Sequence, residues 1–272
     1  MYRRVPALIS IIMIVGLIPL HNSLLVGMPS NYFGYEYRSI NLGWFLEGEV
    51  QGLATDGRYL YMTSSTTIQG TGEACLYKMN FDGTLISSVR IGQDALCHGG
   101  GITIYDNFVW IPLAEFSFTP SNSSQIMRYS LDLDYVDSFC NSTITGIDHW
   151  GSVFVDEVNQ RVFVSNWNTL QIHEFDMDGN LIQSIIPLNP DAIQDWVVID
   201  NHAFGSCSRE GITGLVIFDL DGSFSEIRVI GDLRVPKTSS GIAYHDGVLY
   251  SCSGVNKAVL STIEINLHQY LP

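Results

Sequence analysis

GLATDGRYLYMTS, residues 52–64, decides the architecture, because the phrase returns four times. It reappears as GITIYDNFVWIPL from Gly101, GSVFVDEVNQRVFVS from Gly151, VVIDNHAFGSCS from Val197 and GIAYHDGVLYSCS from Gly241. Each copy is a small residue or valine, an apolar run, a tight turn built on Asp-Gly, Asp-Asn or Val-Asn-Gln, and a second apolar run. That pattern predicts a β-hairpin. Successive starts lie 49, 50, 46 and 44 residues apart, and a strand-built repeat of this period predicts propeller blades.

Between the hairpins lie two further runs per copy, joined by Asp-Gly: ACLYKMNFDGTLISSVRIG from Ala74, QIHEFDMDGNLIQSIIPL from Gln171 and GLVIFDLDGSFSEIRVIG from Gly214. Each blade therefore reads as a four-stranded antiparallel meander. The fifth copy ends early, with AVLSTIEIN from Ala258 as its third strand and only HQYLP at the C-terminus. YEYRSINLG, residues 35–43, matches the fourth-strand phrases and supplies the missing one. The expectation is an all-β, five-bladed propeller whose ring is closed by an N-terminal strand pairing with the C-terminal blade, which removes exposed edges.

The chain has 272 residues, only 15% of them charged, and a mean hydropathy of +0.17, enough apolar material for one large core. With 13 Lys and Arg against 28 Asp and Glu, the net charge of −15 argues against nucleic acid or an anionic membrane as the main partner. Arg3 and Arg4 precede the apolar run ALISIIMIVGLIPL, residues 7–20, as in an export signal. Residues 1–30 are thus expected to be a signal peptide or signal anchor, and residues 31–272 a single propeller domain. The protein is expected outside the cytoplasm, secreted or held to the outer side of the membrane by that segment alone, as a monomer. Of five cysteines, Cys75 and Cys97 are placed for a disulfide, although small apolar packing explains all five as well. Asn122 and Asn141 begin Asn-x-Ser/Thr sequons in loops of the second copy.

In a meander, the loops that enter the innermost strand and leave the second strand share one face. The entering loops read LEGEVQG, ALCHGGG, GIDHWGS, AIQDWVV and PKTSSGI. They bring Glu49, Gln51, His98, Asp148, His149, Gln194, Asp195 and Ser239 to this face, and the exits add Glu115, Asn166 and Arg209. Irregular loops over a rigid scaffold are where binding residues concentrate. His98 and His149 hold nearly equivalent places in consecutive copies. With Glu115 and Asp195 they form a candidate set for one divalent ion, zinc, manganese or calcium. Trp150, Trp167 and Trp196 are either packing between blades or walls of a pocket. Gly99, Gly100 and Gly101 enter a strand rather than a helix, so a phosphate cradle is not expected.

The phrases CHGGGI, WIPLAEF, DHWG, SNWN and IQDW resemble those of an uncharacterised family of mostly bacterial exported β-propellers, a resemblance that implies the fold and no reaction. EVQGLATDG and SGIAYHDG are similar, more loosely, to plant-type glutaminyl-peptide cyclotransferases, also five-bladed. That family has a glutamate before the glycine of its second blade, where His98 stands here, and an Asn-Glu pair where Gln194 and Asp195 stand. Three functions fit: a binding module for a small polar molecule or surface partner; a metal-dependent hydrolase of lactonase or esterase type; and a glutaminyl-cyclase-like aminoacyltransferase with Glu49 or Glu115 moving a proton.

Overall fold

The computed structural model describes residues 37–272 apart from 46–47, 69–70, 118, 168–170, 188–192, 210–211, 221–225 and 232–239. The candidate signal segment and Ser239 lie outside the described residues. Among the described residues there is no helix long and apolar enough to cross a membrane.

The chain is all-β and its ladders are antiparallel. The strands are β1 (Tyr37–Leu42), β2 (Glu49–Thr55), β3 (Leu60–Ile68), β4 (Thr71–Met79), β5 (Leu85–Asp94), β6 (Leu96–Gly99), β7 (Thr103–Tyr105) and β8 (Phe108–Glu115). They continue as β9 (Gln125–Ser130), β10 (Tyr135–Asn141), β11 (Trp150–Asp156), β12 (Arg161–Asn166), β13 (Ile172–Phe175) and β14 (Leu181–Ile185). The last seven are β15 (Trp196–Ile199), β16 (His202–Arg209), β17 (Ile212–Asp219), β18 (Glu226–Gly231), β19 (Gly241–His245), β20 (Val248–Ser253) and β21 (Ala258–Glu264). Every repeated phrase is the expected hairpin: β2–β3, β7–β8, β11–β12, β15–β16 and β19–β20. Their turn chemistry is legible in the backbone. Asp106 and Asn107 have φ of 50° and 62°, and Asp246 and Gly247 have 48° and 76°. Both pairs sit in the left-handed region that a two-residue hairpin turn demands.

The meanders group into four sheets rather than five separate ones. Two are β11-β12-β13-β14 and β15-β16-β17-β18, a third has the order β1-β21-β20-β19, and the first two copies fuse into one nine-stranded sheet. The fusion has a local cause: β5 runs on far enough for Gln93 to pair with Leu96 of β6. The inner strand of the second copy is itself split into β6 and β7 at Gly100 and Gly101. The N-terminal strand pairs where the sequence placed it, with Tyr37 opposite Ile263, Ile40 opposite Leu260 and Leu42 opposite Ala258.

The core is a series of clusters, each shared by consecutive meanders. Trp110, Ile126, Trp150 and Val164 join the second to the third, and Phe154, Trp196 and Phe218 join the third to the fourth. Phe204, Ile217, Ile242 and Ile263 join the fourth to the last, while Leu42 and Leu260 of the last pack on Leu53, Met62 and Met79 of the first. Cys75 is a free thiol, so the disulfide to Cys97 is not formed; Cys140 and Cys252 are buried thiols. Removing residues through Leu42 is expected to bare the β21 edge and the apolar Leu260, giving aggregated protein in gel filtration. Ser39→Ala, which loses only the 3.0 Å bond between the Ser39 and Ser261 hydroxyls, is expected to cost about 1 kcal/mol in urea denaturation and remain soluble.

Candidate functional site

The glycines that open the repeated phrases let the inner strands meet backbone to backbone. A Cβ on Gly52 would lie 2.7 Å from the Gly100 carbonyl oxygen, one on Gly241 2.6 Å from the Leu53 nitrogen, and one on Gly101 2.2 Å from the Gln194 carbonyl oxygen. Alanine at any of them forces backbone apart. The Gly101 N–H donates to the Gly151 carbonyl at 2.9 Å, and the Val153 N–H donates to the Gly101 carbonyl at 3.1 Å. In the fourth copy the sequence departs from glycine, and there Asp195 uses the room that the glycines leave.

Asp195 is fully buried. Its Oδ2 accepts the Leu53 N–H at 2.8 Å and the Ile242 N–H at 2.9 Å, and its Oδ1 accepts the Ile102 N–H at 3.0 Å. Burial pushes its carboxyl well above the usual range, and the backbone donors, Trp196 N–H among them, pull it back. One side chain thereby joins β2, the segment before β7, β15 and β19. The role expected of Asp195, metal ligand, is displaced by this one, because both oxygens are spent on backbone N–H groups.

The two imidazoles do meet. His98 and His149 are each only 2% exposed, and His98 Nδ1 lies 2.8 Å from His149 Nε2. His149 Nδ1 is 3.3 Å from the Ser117 carbonyl oxygen, which only accepts, so Nδ1 carries the proton. In the neutral ring Nε2 is then bare and accepts from His98 Nδ1–H. His98 Nε2 is left with a lone pair. It has no hydrogen-bond partner among the described residues, and it is absent from the sealed unpartnered atoms, which are Trp150 Nε1, His173 Nε2 and His202 Nδ1. Burial, and then His149, pushes the His98 imidazole well below its ordinary value. Burial pushes His149 down to about 4, against the opposing pull of the Ser117 carbonyl and the Asp148 and Glu115 carboxylates.

Aromatic rings surround this pair. The His98 ring centre is 4.9 Å from Phe116 and 5.7 Å from Trp167, and Trp167 is 4.5 Å from His149. Trp167, whose backbone N–H donates to the His149 carbonyl at 2.9 Å, packs against both imidazoles and Phe116. Trp150 and Trp196 belong to the packing clusters.

The remaining candidates divide by what holds them. Glu115 Oε2 accepts the N–H groups of Ser121 and Asn122 and the Asn122 amide, closing its own loop; the Asn122 N–H, with that of Ser121, holds its carboxyl below the usual range. Asp148 Oδ1 accepts the His149 N–H, Asn166 Oδ1 accepts the Gln171 N–H, and Gln51 Nε2 donates to Ser65 Oγ. Glu49 starts β2 at the exposed rim, Gln194 gives its carbonyl to the centre, and Arg209 ends β16 with its side chain outside the described residues. The expected four-ligand set is not assembled: among the described residues there is no group of three or more His, Cys, Asp or Glu side chains placed to hold a metal ion. Phe116 and Ser117 were not singled out as site residues; the only signal was that Phe116 ends the WIPLAEF phrase and Ser117 follows it.

Two expected outcomes follow from these partners. Asp195→Ala strands at least three buried N–H groups at about 1–3 kcal/mol each, a loss on the order of 5 kcal/mol, a large share of a typical domain's stability of about 5–15 kcal/mol and readable as a lowered urea midpoint. For the histidines, the folded pKa lies below the unfolded one, so the unfolded chain binds more protons between them. Stability is therefore full above about pH 6.5 and is lost as pH falls toward about 4, by on the order of 3 kcal/mol from His149. Urea denaturation at pH 7 and pH 5 should show this loss in the parent and a smaller one in a His98→Leu, His149→Phe double variant.

No curated protein matches the chain in sequence. Among solved structures the fold is similar to the propeller-like fold of Myxococcus xanthus glutaminyl cyclase, with a TM-score of 0.58, 12% identity, and 84% of this chain and 95% of that one covered. Weaker likenesses are to a catalytically inactive virginiamycin B lyase from Staphylococcus aureus with quinupristin (TM-score 0.48, 10% identity, 84% and 99% covered) and to a protein of unknown function from Bacteroides caccae (TM-score 0.47, 13% identity, 75% and 70% covered). At such identities the likeness is one of fold. By its match over residues 43–202, more than half of its length, the chain belongs to a family of unknown function (DUF6454).

Proposed function

We propose that this protein is an exported five-bladed β-propeller, closed by β1, that serves as a binding module for a small polar molecule at the His98–His149 pair. The five hairpin phrases, the β1–β21 register and the packing of Leu42 and Leu260 on Leu53 and Met62 support the closed ring. Arg3, Arg4 and the apolar run after them support export.

The observation that carries the binding reading is the His98 Nε2 lone pair: a polar atom of a buried side chain, fixed as an acceptor, beside aromatic walls and without a partner among the described residues. The imidazole is 2% exposed, yet this atom is not sealed, so a donor from outside the fold can reach it, and a ligand supplies that donor. The hydrolase and aminoacyltransferase readings have no comparable support, since Asp195 and Glu115 are committed to backbone N–H groups.

The test is a thermal-shift screen of small polar metabolites, with and without zinc, manganese or calcium, followed by titration of the hits on Trp fluorescence. A compound that stabilises the parent and loses at least tenfold in affinity with His98→Leu supports the reading. Absence of any hit, or hits that bind the variant equally, overturns it; stabilisation by a metal ion alone would favour the hydrolase.

A further inference from the structure

The geometry points to the class of ligand: we propose that His98 receives a neutral planar ring carrying an N–H or O–H donor, such as a phenol or an N–H heterocycle. This inference rests on the binding reading above. The tautomers form a one-way chain, from His98 Nδ1–H to His149 Nε2 and from His149 Nδ1–H to the Ser117 carbonyl. Because that chain ends on a carbonyl, which cannot donate, it cannot reverse while both rings are neutral. His98 Nε2 is consequently an obligate acceptor, and whatever docks on it must bring a proton of its own.

This requirement removes carboxylates and phosphates, which would place lone pair against lone pair. The surroundings remove most cations as well. Rings of His149, Phe116 and Trp167 lie with their centres 4.7, 4.9 and 5.7 Å from that of His98, and a charged group entering there sheds hydration that rings and one imidazole lone pair replace poorly. The site already expels charge from itself, since two imidazoles sit there in neutral form. A flat ring suits it, because aromatic pairs favour tilted and edge-on contacts of about 4.5–7 Å between centres. Phe116 and Trp167 adopt such a contact with each other, at 5.0 Å and 44°.

The experiment compares five probes on the full folded domain at pH 7.5 by ligand-observed NMR titration: phenol and indole, toluene as the same ring without a donor, benzoate as the anion and benzylammonium as the cation. Phenol and indole are expected to bind, with the other three at least tenfold weaker, because a donorless ring displaces solvent from the lone pair without replacing its hydrogen bond. The preference for phenol over toluene is expected to vanish in His98→Leu. Trp167→Leu, at a half-buried position, is the second variant should His98→Leu fail to fold; it should weaken phenol and toluene alike. In the parent, phenol should also shift the 15N resonance of His98 Nε2 without moving that of Nδ1 comparably. Equal binding of phenol and toluene, or tighter binding of benzoate or benzylammonium, overturns the ligand class and leaves the binding reading standing if metabolite hits still depend on His98. Failure of all five probes together with an empty metabolite screen overturns both.

Discussion

One carboxylate carries the centre of this molecule. Inner strands of a radial β structure converge with their backbones side by side, and their N–H groups at the crossing point have no ladder partner. Left unmet, each would cost about 1–3 kcal/mol. Asp195 meets three of them, from Leu53, Ile102 and Ile242, and only because Gly52, Gly101 and Gly241 let the strands come so close. The backbone donors on both carboxylate oxygens offset part of the cost of burying the group, and burial still prevails in its raised pKa. The third meander is tied in through the backbone bonds between Gly101, Gly151 and Val153. Glycine at four copies and aspartate at the other are thus one device.

The histidine pair depends on that device. His98 stands three residues before Gly101, and His149 two before Gly151, so the strands whose approach the glycines permit are the strands that bring the imidazoles to 2.8 Å. Neither ring could be buried alone as cheaply: each nitrogen but one is satisfied by the other ring or by Ser117. The single remaining lone pair is a property of the pair, set by which end of the chain of hydrogen bonds terminates on a carbonyl. A more polar loop in place of Phe116 and Trp167 would raise the local dielectric and let the pair charge, which would convert the acceptor into a donor.

Much of the fold was legible because the hairpin signal is local. Asp106-Asn107 and Asp246-Gly247 announce left-handed backbone, the strands alternate as they must, and YEYRSINLG could be matched to its partner because fourth strands share a phrase. The fusion of the first two copies was not legible, since it turns on how far β5 extends past Gly92 before Leu96. At the site, the meeting of His98 with His149 followed from their equivalent places in consecutive copies. The fate of the carboxylates did not, because the groups that capture Asp195 and Glu115 are backbone N–H groups, which every residue but proline carries and no side-chain pattern reveals. The sequence showed only that Asp195 stands in the loop entering the fourth copy, two residues before Val197, as His149 stands two before Gly151. Trp167 and Trp196 look alike in sequence, and only the structure shows the first against the histidine pair and the second in a packing cluster.

The polarity of the strands adds a last consequence. In the final sheet Leu42 pairs with Ala258 and Tyr37 with Ile263. Ala258 follows the loop that leaves β20, on the side where Gly241 packs against Gly52; Ile263 lies toward the β19–β20 turn, where Gly57 approaches the His245 ring. β1 therefore starts at the turn side and runs toward the side that holds His98 and His149. Chain N-terminal to residue 37 connects at the far end of the sheet from the imidazole pair. The direction of β1, fixed by its register on β21, thus sets its first residue and the imidazole pair at opposite ends of the strands.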